Sequence, residues 1–178
     1  MMDYISNYQS PAGAITIACD GTSITGLWFD GAKYFADTLA PEYEERETPV
    51  LREARAWLDC YFGGGIPDFT PPVQLNGTPF RMAVWEVLKG IPYGGTMTYG
   101  EIARILAEQN GSGKMSARAV GGAVGRNPIS IIVPCHRVIG SGGSLTGFAG
   151  GVDKKIKLLT IEKVNLQHMF IPQKGTAL

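Results

Sequence analysis

Apolar residues along this chain first fall into short β-rich runs and later recur at helical spacing. GAITIACDGTSITGLWF, residues 13–29, carries two such runs around Asp20-Gly21, which predicts a hairpin. An acidic stretch, APEYEERE, follows and reads as irregular. Thr48-Pro49 then supplies a helix cap and a first-turn proline, with Leu51, Ala54, Leu58 and Tyr61 on one face and Gly63, Gly64 and Gly65 as the stop. Residues 63–79, GGGIPDFTPPVQLNGTP, read as a linker.

Beyond the linker the pattern is mostly helical. Phe80, Val84, Val87 and Leu88 share a face in a helix that ends at Gly90. Thr98 and Glu101 form a capping-box pattern before a helix with Ile102, Ile105 and Leu106 inward. NGSGK makes a turn, and SARAVGGAVGRNP predicts a further helix between Ser116 and Asn127-Pro128. Residues 131–133, Ile-Ile-Val, read as a strand, and residues 150–164 as a last helix that starts near Asp153 and carries Ile156, Leu159, Glu162 and Lys163. The expected class is α/β: an antiparallel sheet plus helix in residues 1–77, and a mostly helical domain with a helix-turn-helix in 78–178.

Composition agrees with a globular chain, 44% hydrophobic and 18% charged over 178 residues. No basic segment followed by an apolar run opens it, and no stretch approaches the ~20 apolar residues of a membrane span. Its cysteines, Cys19, Cys60 and Cys135, are odd in number and lack metal-ligand spacing, which argues against a disulfide framework or zinc and fits a reducing cytoplasm. Cys19 and Cys60 sit in apolar patterns and read as small core residues. The formal net charge is zero, but it is unevenly spread. Residues 1–78 carry four Lys/Arg against eleven Asp/Glu, whereas residues 79–164 carry eleven against five. Such asymmetry fits a nucleic-acid-binding half, and equally two differently charged solvated faces.

The second helix of the helix-turn-helix is unusually thin: Ala117, Ala119, Gly121, Gly122, Ala123 and Gly125 dominate it. Each interior glycine costs ~1 kcal/mol of helix stability. Two explanations stand at this point. One is tight helix–helix packing. The other is access to a minor groove ~6 Å wide, too narrow for a helix ~10–12 Å across with its side chains. Arg118 is a long cation among these small residues, suited to entering a duplex or contacting phosphate, and equally to a solvated surface.

The opposite chemistry gathers in IIVPCHRVIG, residues 131–140. A cysteine nucleophile works as thiolate, which neighbouring cations favour, and His136 and Arg137 follow Cys135 directly. Adjacent residues of an extended strand point to opposite faces, so His136 needs a turn after Pro134, or a bridging water, to serve Cys135. A carboxylate would then hold the imidazole, and Glu162 is the candidate.

PCHRVIG preceded by RNP at residues 126–128 strongly resembles the signature of the O-6-alkylguanine-DNA alkyltransferases (methylated-DNA–protein-cysteine methyltransferases). The resemblance runs closely from Phe80 to about Val164, through PYG, TYGEIA, ARAVGGAVGRNP, GFAGG and Glu162. It implies a ribonuclease-H-like N-terminal domain and a DNA-binding, alkyl-acceptor domain. Cys135 matches the alkyl acceptor, His136 the base that activates it through a water, and Glu162 the carboxylate that orients the histidine. Asn127 matches the asparagine linking the recognition helix to the active-site strand. Tyr99 matches a tyrosine beside the extruded base, and Arg118 the arginine that replaces that base in the stack. Ala117, Ala119 and Gly121 fall on the DNA-facing helix, while Ser130, Val138, Ser141, Gly147, Phe148 and Ala149 fall at the DNA and base-pocket positions.

The activity so implied is direct reversal of DNA damage. O-6-methylguanine, and O-4-methylthymine with it, is flipped from double-stranded DNA approached at the minor groove, and the alkyl group passes irreversibly to Cys135, once per chain. The implied protein is a cytoplasmic monomer, nucleoid-associated in a prokaryote, with no cofactor, no metal and no membrane partner. Three features depart from the family's pattern. Ala149 stands where some members have serine, Ser130 where some have proline, and the turn EQNGSGKMS is longer than in compact members. The zinc ligands of some members have no match; the second histidine is His168. Two alternatives stand beside this reading. One is a non-enzymatic binder of alkylated DNA, against which Cys135 speaks. The other is a cysteine hydrolase, which leaves the thin helix unexplained.

Overall fold

The computed structural model describes residues 2–173; Met1 and the tail from Lys174, whose charge restores neutrality, lie outside the described residues. The chain divides into two units: residues up to Asn76 with Pro128–Ile132, and Gly77–Asn127 with the residues from Val133 on. Residues 128–132 thus interrupt the second unit. The short 128–132 segment joins the first unit because Leu27 N–H donates to Pro128 O at 2.9 Å and Ser130 N–H donates back to Leu27 O at 2.9 Å.

In the first unit, β1 (Asp3–Ser10), β2 (Gly13–Cys19), β3 (Ile24–Phe29) and β4 (Tyr43–Glu45) form one sheet in the order β3-β2-β1-β4. The pairs β1/β2 and β2/β3 are antiparallel, the latter being the hairpin predicted around Asp20-Gly21. The acidic stretch expected to be irregular instead supplies β4, which runs parallel to β1 with all three residues exposed. An edge strand in contact with water tolerates such charge, so its sequence carries no alternation to reveal it. Helix α1 (Pro49–Phe62) buries Leu51, Ala54, Leu58 and Tyr61, together with Val50 and Trp57, and packs on β1, β2 and β3.

The second unit holds α2 (Pro79–Lys89), the two-residue strand β5 (Met97–Thr98), α3 (Tyr99–Asn110), α4 (Ala117–Gly125), β6 (Val138–Ile139) and α5 (Val152–Ile161). In α2 the buried residues are Val84, Trp85 and Leu88, with Phe80 and Val87 only half-buried. Trp85 ties α2 to α4 by donating from Nε1 to Ala123 O at 2.9 Å. The capping box at Thr98 and Glu101 is complete: Thr98 Oγ1 accepts from Glu101 N–H at 3.1 Å, and Glu101 accepts from Thr98 N–H at 2.7 Å. Gly111, at φ 64, ends α3 in the left-handed conformation that glycine allows. β5 pairs in parallel with β6, Met97 opposite Val138 and Thr98 opposite Ile139, which anchors the start of α3 beside the segment that follows Arg137.

The expected strand at 131–133 is absent. Ile132 N–H donates to Ser130 O at 2.8 Å around Ile131, which sits at φ 70, and Cys135 N–H donates to Val133 O at 2.8 Å around Pro134. These two tight turns consume the backbone groups that a strand would pair. Lys163 also falls beyond α5, at φ 59, so it does not share the face of Ile156 and Leu159.

The cap predicts an energetic effect. Thr98→Ala removes one acceptor of the box and should lower stability by about 1 kcal/mol, measured by urea unfolding; an unchanged midpoint would show that the box contributes nothing here.

Candidate active site

Cys135, His136 and Arg137 form a single 3-10 turn, with Val138 N–H donating to Cys135 O. Three residues per turn spread their side chains around the axis instead of across a strand, so a turn follows Pro134 in place of the strand. All three are buried, Cys135 at 5% exposure and His136 at 0%. His136 Nε2 lies 2.6 Å from Glu162 Oε1. Arg137 closes on the same carboxylate through Nε to Oε2 at 2.9 Å and Nη2 to Oε1 at 3.0 Å, and donates from Nη1 to Ile91 O at 2.6 Å. Gly94 N–H adds a bond to Glu162 Oε2 at 3.1 Å. Glu162 itself is the residue that closes the end of α5.

The electrostatics follow from these contacts. Burial alone pushes the Glu162 carboxyl up, but the bonds and charge from His136 and Arg137 outweigh it and bring it to about 2. Burial lowers His136, reinforced by the charges of Arg137 and Lys155 and opposed by Glu162, so the imidazole is neutral at pH 7. With Glu162 accepting at Nε2, the proton sits there and Nδ1 is the basic nitrogen.

Two functional groups escaped the sequence reading. Lys155 on α5 is fully buried, donating from Nζ to Val138 O and, at 2.8 Å, to Thr146 O. Burial lowers its ammonium to about 8, and the charge of Cys135 works against that, so the thiolate and the ammonium favour each other. Periodicity offered no signal for it, because a lysine in a polar helix pattern reads as solvated. In the sequence Arg137 reads as a cation near the thiol, and only the fold makes it the partner of Glu162.

Tyr99 opens α3 and donates from its hydroxyl to Thr146 O at 3.0 Å, with Gly147 O at 3.1 Å. Burial raises its pKa, and the charge of Cys135 raises it further. Gly147 sits at φ 77, and a Cβ there would run into the Tyr99 hydroxyl, so the close approach requires glycine. Six of the expected residues, Tyr99, Ala117, Arg118, Gly121, Ser141 and Gly147, line one groove of about 610 Å³. Ala119 is exposed on α4; Val138 and Phe148 are core residues, and Ala149 is half-buried. Asn127 lies at the end of α4, with Nδ2 donating to Val133 O at 2.9 Å. Ser130 is buried in the first unit, where its N–H is bound to Leu27 O.

The glycines of α4 now discriminate between their two explanations. A Cβ at Gly122 or Gly125 would meet nothing within 4 Å, and one at Gly121 would meet the Tyr99 ring at an ordinary 3.7 Å. Internal packing does not demand them. Ala117, Arg118, Ala119 and Gly122 form an exposed face almost free of side chains, with Arg118 its one long group.

Family comparison matches both parts of the chain. The model described as 6-O-methylguanine DNA methyltransferase, ribonuclease-like domain, matches residues 4–75, and the DNA binding domain of the same methyltransferase matches residues 79–164. The chain belongs to the 6-O-methylguanine DNA methyltransferase family. It is 41% identical over 163 residues to a methylated-DNA–protein-cysteine methyltransferase of Haemophilus influenzae, covering 90% of this chain and 87% of the relative. It is 43% identical over 159 residues to one of Methanosarcina acetivorans, covering 89% and 97%. The crystal structure of Mycobacterium tuberculosis OGT in complex with DNA is similar at a TM-score of 0.76 and 40% identity, over 92% of this chain and 93% of that one. Among the described residues, no helix is long and apolar enough to cross a membrane, and no three His, Cys, Asp or Glu side chains are grouped to hold a metal ion.

The two shifted groups of the methyltransferase site act in the same direction. The unfolded chain takes a proton on His136 near 6.5 and on Glu162 near 4.5, whereas the folded chain resists both. Stability should therefore fall as pH drops below 6.5 and fall further between 4.5 and about 2. Urea unfolding of wild type and Glu162→Gln checks this: the wild type should lead by several kcal/mol near neutrality, and its lead should shrink below pH 4.5. A lead that is constant across that window would place the titration elsewhere.

Proposed function

We propose that this chain repairs alkylated DNA by transferring the alkyl group of O-6-methylguanine, and of O-4-methylthymine, to Cys135. The observation that carries the reading is the bare face of α4 beside a groove that reaches Tyr99. An alkyl acceptor needs to approach the minor groove and to receive a flipped base; a cysteine hydrolase needs neither. The family names of the relatives point to the same activity.

In this mechanism α4 enters the minor groove, and Arg118 takes the place of the extruded base. The base lodges between Tyr99 and the loop of Gly147, Phe148 and Ala149, near Val138. His136 accepts the Cys135 proton at Nδ1 through one water, while Glu162 holds the imidazole at Nε2. The thiolate attacks the alkyl carbon in line. A sulfur–carbon bond forms as the carbon–O6 bond breaks, and guanine leaves with the electron pair and takes up a proton. The thioether is a poor leaving group, so each chain acts once. Asn127 supports the turn before Cys135 through Val133 O. Ala117, Ala119, Gly121 and Ser141 complete the set of DNA and base-pocket positions in the second unit. No cofactor enters the reaction, and the protein acts as a monomer in the cytoplasm, where DNA and reduced thiols coexist.

Two experiments test this. Incubation with a duplex carrying O-6-methylguanine, followed by peptide mass spectrometry, should place one methyl group on Cys135. Bound DNA with unmodified Cys135 would leave the non-enzymatic binder instead. Arg118→Ala should slow transfer from duplex at least about tenfold, since flipping costs a few kcal/mol, yet leave transfer from free O-6-benzylguanine unchanged. Equal slowing on both would remove Arg118 from the flipping step.

A further inference from the structure

The segment after α5 carries no role in the chemistry above, yet it is bonded to the loop on which that chemistry depends. Leu145 N–H donates to Phe170 O at 2.8 Å, and Phe170 N–H donates to Gly143 O at 3.1 Å, a short parallel bridge. Leu166 and Met169 pack against Ile139, Leu145 and Leu159. Gly143 sits at φ 90, and a Cβ there would lie 2.5 Å from His168 O, so the approach of the two backbones needs glycine. The Phe170 side chain is 51% exposed, which assigns the contact to its backbone.

The bridged loop continues into the pocket. Thr146 O accepts from both Lys155 Nζ and the Tyr99 hydroxyl, and Gly147 packs on that hydroxyl. We propose that residues 166–170 are a strap that fixes the height of the 143–148 loop, and through it the Tyr99 hydroxyl and the width of the base pocket. The proposal rests on the alkyl-acceptor reading of the site. Phe170 thereby acts as a positioning residue for transfer and for the size of alkyl group admitted. The strap opposes widening of the pocket, because a loop pinned at Gly143 and Leu145 cannot yield to a bulkier group without breaking two backbone hydrogen bonds.

Two variants break the bridge from opposite sides: Phe170→Pro removes the N–H given to Gly143, and Gly143→Ala places a methyl against His168 O. Each should slow single-turnover methyl transfer at saturating protein by roughly tenfold, as expected for a displaced reacting geometry, with affinity for undamaged duplex unchanged. The ratio of benzyl to methyl transfer rates should rise in both. Amide exchange in residues 143–148 should quicken. Ile171→Ala, at an exposed side chain next to the bridge, should behave as wild type. Normal rates and an unaltered ratio in either folded variant overturn the strap, as does unchanged exchange. If the wild type leaves Cys135 unmodified, the reading of the site has failed, and the exchange comparison still decides the strap.

Discussion

One buried carboxylate organises the second unit. Glu162 draws together the end of α5, the turn at Gly94 and the 3-10 turn of Cys135, His136 and Arg137. Left unpaired it would cost several kcal/mol in such surroundings. The bidentate Arg137 guanidinium neutralises it, and the Gly94 N–H and His136 fill its remaining acceptor sites. Arg137 thus keeps Glu162 charged, and the charged Glu162 fixes the tautomer of His136. Arg137 thus acts on its neighbour His136 through a partner twenty-five positions away.

A second constraint is the scarcity of side chains on α4. Glycine lowers helix stability, and the open space around Gly122 and Gly125 shows that no neighbour within the unit requires it. The helix is held instead by Val120, Ala123 and Val124 inward, by the Ser116 cap and by Trp85 Nε1 on Ala123 O. Stability is supplied from the buried face, which leaves the outer face for steric access. The same economy recurs at Gly147 and Gly143, where a missing Cβ lets Tyr99 and the strap approach.

The helices were legible because their signals are local: an apolar stripe on each, a Thr or Ser cap on α1 to α4, and a terminal glycine on α1, α2 and α3. The hairpin of β2 and β3 was legible for the same reason. What failed was what depends on distant partners. β4 is acidic and exposed, and only its pairing with β1 makes it a strand. Residues 131–133 are β-branched and apolar, yet they are drawn into tight turns, with Asn127 Nδ2 on Val133 O at one end. Lys155 looks like any helical lysine until its two carbonyl partners, Val138 and Thr146, are brought to it by the chain reversal between them. At the site, Cys135, His136 and Glu162 were recognisable by motif, but their mutual geometry was not, since a strand and a 3-10 turn aim His136 differently.

The burial of the thiol and a reaction that occurs once belong together. A turnover enzyme must release its product and regenerate its nucleophile, which favours an open site. Here Cys135 is 5% exposed and shares its 3-10 turn with a neutral imidazole, and its charge and that of the Lys155 ammonium favour each other. In the proposed reaction the imidazole takes the thiol proton and the thiolate attacks carbon. No oxyanion hole is needed, because carbon transfer develops no tetrahedral oxyanion.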